Sequence, residues 1–111
     1  MNFNEIDYFT KDFKRLSKKY KSLSDDLLEF KKVISEFPLG RGKHFIILTA
    51  TEAVKIIKAR LFCRYLKGSS LRVVYAYTET KQIIEFIEVY PISVKEREDR
   101  QRINDYLHNL K

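Results

Sequence analysis

A chain of 111 residues with 44% hydrophobic content can bury one modest core and has little length for a second, so a single domain over residues 1–111 is expected. Three Gly and two Pro exclude collagen-like or linker-rich material, the lone Cys63 excludes an intramolecular disulfide, and no stretch approaches the ~20 apolar residues of a membrane span. The net charge is +7, and all of that excess lies between Arg41 and Arg72. There Arg41, Lys43, Lys55, Lys58, Arg60, Arg64, Lys67 and Arg72 face the single acid Glu52.

Concentrated cationic charge is the electrostatic footprint of a polyanion partner, because neutralised phosphates release counterions; a solvated face kept for solubility is the plain alternative. Met1 to Asp7 carries acids where a secretory leader has a basic end and an apolar run. With one thiol, that predicts a protein of the reducing cytoplasm, not held in a membrane.

In chain order, Asn2 to Phe9 has the weak alternation of a short or edge strand. Phe9, Phe13, Leu16 and Tyr20 then recur at helical spacing, with Lys11, Lys14, Arg15, Lys18 and Lys19 outward, which predicts a first helix from Thr10. Ser24 is the expected cap of a second helix, with Asp25 and Asp26 in its first turn and Leu27, Phe30, Ile34 and Phe37 inward. Pro38, Gly40 and Gly42 end it.

From Phe45 the period changes from about four to two, the mark of sheet. Phe45 to Leu48 reads as a short strand and Val54 to Leu66 as a long one with unlike faces. Ile57, Ala59, Leu61, Cys63 and Tyr65 point one way, and Lys58, Arg60, Phe62 and Arg64 the other. Lys67, Gly68, Ser69 and Ser70 offer hairpin chemistry before Leu71 to Tyr77, and Thr78 to Gln82 turns the chain into Ile83 to Tyr90. Ser93 and Glu96 form a capping box for a last helix with a stripe of Ile103, Tyr106, Leu107 and Leu110.

Residues two apart on one strand face are roughly 6.6 Å apart, so Lys58, Arg60 and Arg64 would make a row of about 20 Å, with Arg72 joining it if the register allows. Phe62 would suit base stacking there, or would pack beneath a covering segment. His44 and His108 read as ordinary surface histidines, although either could exchange a proton near neutral pH. Cys63 reads as a buried structural thiol. No zinc-ligand spacing, magnesium-binding carboxylate cluster or glycine-rich phosphate loop is present, so neither metal nor small-molecule cofactor is expected.

Lys58-Ala59-Arg60-Leu61-Phe62, the run Gly68 to Tyr77, Ile84 to Tyr90 and Lys95 to Ile103 together resemble the RelE/ParE superfamily of toxins from toxin–antitoxin modules. The resemblance covers nearly the whole chain, and its most specific part is Arg72-Val73-Val74-Tyr75 with Ile87-Glu88-Val89-Tyr90. It implies an α+β domain in which an N-terminal strand and a helical hairpin pack on a mainly antiparallel sheet that a C-terminal helix completes. It also implies a cognate acidic antitoxin and, in the RelE branch, metal-free cleavage of messenger RNA on the ribosome by attack of the RNA's own 2′-hydroxyl.

Carried over by position, Arg72 would hold the phosphate, and Lys58 and Arg60 would supply the neighbouring cations, with Tyr90 as a further catalytic candidate. Arg64, Lys55, Lys67, Phe62, Lys43 and Arg41 would bind the RNA around them. The family often places an arginine and a tyrosine just after the last strand; here Tyr90 is followed by Pro91, Ile92 and Ser93, with no arginine before Arg97. That departure keeps two other implications open: a ParE-like inhibitor of DNA gyrase, and a catalytically inert module that only binds nucleic acid or antitoxin.

Overall fold

The computed structural model describes residues 1–67 and 70–110. Its elements are β1 (Asn2–Glu5), α1 (Asp7–Lys19), α2 (Leu23–Glu36), β2 (Phe45–Ala50), β3 (Lys55–Phe62), β4 (Ser70–Thr78), β5 (Ile83–Pro91) and α3 (Arg100–Asn109), with single 3₁₀ turns after β3 and β4. The strands form one sheet in the order β1-β5-β4-β3-β2. β2 to β5 run antiparallel, as their short connections require, and β1 joins β5 in parallel. The expected α+β class and order of elements therefore hold.

One sheet face, inner for α1 and α2, buries Phe9, Leu16, Leu23, Phe30 and Ile34 against Ile57, Ala59, Leu61, Val73, Tyr75 and Phe86. Tyr75 is fully buried, and its hydroxyl donates to the Pro38 carbonyl at 2.7 Å, so the ring packs without an orphaned polar end. The opposite face is covered by α3 over only part of its length, where Ile103 and Tyr106 pack on Val54, Ile56, Val74, Ala76 and Ile87. The uncovered end of that second face carries the candidate site. Among the described residues no helix is long and apolar enough to cross a membrane.

Several boundaries differ from expectation, each for a local reason. α1 begins at Asp7, because the chain leaves β1 after four residues and buries Phe9 within the first turn. α2 starts after Ser22, not Ser24, and the Ser22 hydroxyl serves tertiary structure by donating to Asp26 and accepting from the Tyr65 backbone N–H. β3 stops at Phe62 rather than running to Leu66, because the Asp26 carboxylate takes both the backbone N–H and the Nε of Arg64 and draws the chain toward α2. Gly68 and Ser69, the expected hairpin residues, lie outside the described residues.

The last helix shows the largest departure. Ser93 and Glu96 do not open it; α3 starts after Asp99, whose side chain accepts from the Arg102 backbone N–H. Between Pro91 and Asp99 the chain is a strap across the second face. A turn on the Pro91 carbonyl begins it, and the Glu88 carboxylate, which accepts from the Asp99 N–H and from Lys95, ties down its far end. A bulge at Ile87 in β5 lets that region twist, and the Ile87 carbonyl is taken by Arg102 of α3 at 3.1 Å.

Candidate nucleic-acid interface

Alternation along β3 puts Lys58, Arg60 and Phe62 on the second face, and register places their neighbours. Arg60 stands directly opposite Arg72 on β4, and Arg72 opposite Tyr90 on β5. Since Phe45 pairs with Ala59, His44 falls opposite Arg60, and the Arg60 N–H donates to the His44 carbonyl at 3.0 Å. His44, Arg60, Arg72 and Tyr90 thus make one row across the sheet, roughly 14 Å wide over three strand spacings.

Arg60 and Arg72 both donate to the Ser70 hydroxyl oxygen, from Nε at 3.0 Å and from Nη1 at 3.3 Å. Like charges directly opposite one another in a sheet repel. Among the described residues neither arginine meets a carboxylate within ion-pair distance. Two partly buried guanidinium groups converging on one point, with a neutral hydroxyl between them, suit an oxyanion that can accept from both. Phe62 is 59% exposed beside them, with the Arg60 guanidinium 4.6 Å from its ring centroid and His44 edge-on to it at 5.8 Å. That leaves one aromatic face able to take a stacked base.

The adjoining row behaves differently. Lys58 lies on the same face, but its Nζ is 2.9 Å from Glu98 of the strap, and the two side chains keep only 18% and 4% of their exposure. Burial works against a charge on Glu98, yet the hydrogen bond and charge of Lys58, with Arg100 adding to them, hold its carboxyl below the ordinary range. Tyr90 lies under the same strap. Its hydroxyl is buried with no hydrogen-bond partner, and Lys95 sits over its ring. Burial, reinforced by Glu88 and Glu98 and partly offset by Arg72, pushes its phenol up to about 12, so it keeps its proton at neutral pH.

The basic stretch of sequence is therefore not one surface. Lys58, Arg60, Phe62 and Arg72 are brought together. Arg64 is not: its backbone leaves the strand, and its side chain pairs with buried Asp26 at 3.1 Å on the α2 side, so the expected 20 Å row along β3 does not form. Lys55 alternates with Ile57 onto the helix-covered face. Arg41 lies over the Phe37 ring, while Lys43 and Lys67 are exposed in loops flanking the site. His108 is exposed on the last turn of α3, and Cys63 is buried, as expected. The place of His44 in this row was not legible in the sequence, because it depends on register.

A five-stranded mixed sheet with a helical pair on one face and a short terminal helix on the other defines a small RelE-like α+β fold. The likeness is to a chain in the crystal structure of the archaeal RelE–RelB complex from Pyrococcus horikoshii OT3, with a TM-score of 0.61 and 23% identity over 81% of this chain and 92% of that one. No protein-family model and no curated protein matches the sequence.

Proposed function

We propose that this protein is the toxin of a toxin–antitoxin module, and that it cuts messenger RNA on the ribosome through the arginine pair Arg60 and Arg72. The carrying observation is that pair, unopposed and converging on Ser70 in a RelE-like fold. Arg72 grips the scissile phosphate, Arg60 shares the charge that builds on it as the 2′-hydroxyl attacks, and Phe62 stacks a neighbouring base. Two preorganised cations in place of water stabilise a phosphorane without a metal. Lys58 is a reserve cation held by Glu98, and Lys43, Arg41 and Lys67 steer RNA from the loops. The partner is an acidic antitoxin, which complements the +7 charge.

A gyrase-directed or purely binding role is the second reading. It is favoured by the Glu98–Lys58 ion pair and the sealed Tyr90 hydroxyl, which leave two catalytic candidates out of contact with solvent anions. Mapping transcript ends after induction separates the two. Discrete new 5′ ends within coding regions, lost with Arg72→Ala, support cutting; intact transcripts with inhibited supercoiling support the second reading.

A further inference from the structure

His44 is the one side chain in the row that ordinarily exchanges a proton near neutral pH, and three of its neighbours there or beside it already belong to the site. Its carbonyl accepts from Arg60, its ring meets Phe62, and Arg60 in turn stands against Arg72. Proton removal from a 2′-hydroxyl needs a base within hydrogen-bond reach of it, and His44 borders the phosphate-binding pair. The charged groups facing it are Arg60 and Lys58 from β3 and Arg72 from β4, with Lys43 preceding it in sequence and Glu98 of the strap already engaged by Lys58. No carboxylate of the described residues forms an ion pair with its imidazole. The ring is partly exposed, so it can be reached by RNA lying along the row.

We propose that His44 is the general base of this site, an assignment that rests on the ribonuclease reading above. The neutral imidazole takes the proton of the 2′-hydroxyl as the 2′-oxygen bonds to phosphorus. The bond from phosphorus to the 5′-oxygen breaks, and the departing oxygen takes a proton from water. The resulting hydroxide receives the proton from His44, which restores the base. The products are a 2′,3′-cyclic phosphate and a 5′-hydroxyl end. Arg60 and Arg72 carry the negative charge throughout, and Phe62 fixes the nucleotide whose 2′-hydroxyl faces His44.

The test is single-turnover cleavage of messenger RNA on programmed ribosomes between pH 5.5 and 8.5, with wild type, His44→Ala, His44→Gln and, as a control on the far side of α3, His108→Ala. Loss of a general base predicts cleavage about 100-fold slower in both His44 variants. The acid limb of the wild-type pH profile should vanish, exogenous imidazole should restore much of the rate of His44→Ala, and His108→Ala should match wild type. Circular dichroism and binding of a 2′-O-methyl oligonucleotide check that fold and docking survive. If wild type cuts and the His44 variants cut within threefold of it with the same pH profile, His44 is not the base while the ribonuclease reading stands. If wild type leaves the RNA intact under conditions where it binds, the ribonuclease reading fails and the base assignment fails with it.

Discussion

Glu98 Oε1 lies 2.9 Å from Lys58 Nζ, so one cation of the second face is neutralised from within the chain by a carboxylate standing where a phosphate oxygen could otherwise bind. Glu98→Gln removes that competitor. Affinity for single-stranded RNA should rise about three- to tenfold at 0.1 M salt, with the salt dependence steeper by about one phosphate contact. Filter binding across a salt series reads both quantities. Unchanged affinity would mean that Lys58 is a structural cation only.

Glu98 also makes stability depend on pH. Its folded carboxyl is held below its ordinary value of 4.5, so the unfolded chain binds the proton more readily. The contribution is complete above that ordinary value and is lost as the pH falls through the lowered one. Asp26, ordinarily 3.8, is also lowered: burial opposes its charge, but Ser22, Arg64 and Cys63 outweigh it. Thermal melts of the wild type should lose midpoint progressively below about pH 4.5, and Glu98→Gln should flatten the first part of that decline.

The proposed function has Arg60 and Arg72 acting on one oxyanion, so their deletions should not add. Arg72→Ala should slow transcript cleavage at least 100-fold, and Arg60→Ala with Arg72→Ala should be little slower than Arg72→Ala alone. Removing either half of a repelling pair should hold or raise the melting temperature. A large fall in melting temperature would instead assign the pair to structure.

Tyr90 carries a buried hydroxyl without a partner, which burial leaves costly. Tyr90→Phe should therefore raise stability by about 1 kcal/mol and leave cleavage within threefold of wild type. A tenfold loss of cleavage with fold intact would show that the strap opens and delivers the phenol to RNA.

Asp26 and Arg64 test the separation of the basic residues. Asp26→Ala strands the Arg64 backbone N–H at the end of β3 and should cost about 1–3 kcal/mol. Arg64→Ala should leave RNA affinity nearly unchanged, unlike Arg60→Ala, because Arg64 lies on the α2 side. Equal losses from both arginines would merge the two surfaces.

The meander was legible because alternation is local: Leu71 to Tyr77 and Ile83 to Tyr90 fall within β4 and β5, and Ile57, Ala59 and Leu61 of β3 are buried with Cys63 just beyond it, whereas Tyr65, expected on the same face, is exposed once the strand has ended. Arg64 failed because of a partner far along the chain: it leaves its strand for a carboxylate 38 residues earlier. The start of α3 failed because two local caps compete, and Asp99, whose N–H Glu88 of β5 holds, wins over Ser93. The neighbours of His44 were illegible for the same reason in reverse, since a residue just outside a strand gains them only when pairing is known.

β2 closes one side of the sheet with no charged residue from Phe45 to Ala50, and Ile46 and Ile47 are both about half exposed. Its unpaired backbone groups are a template for another strand, guarded chiefly by the irregularity between Ile47 and Thr49. The flanking Lys43 and Lys55 make a second copy of this chain a poor fit and an anionic extended segment a good one. Produced without a strand to cover that seam, the protein should go to inclusion bodies, and co-production with an anionic extended segment should keep it in the supernatant.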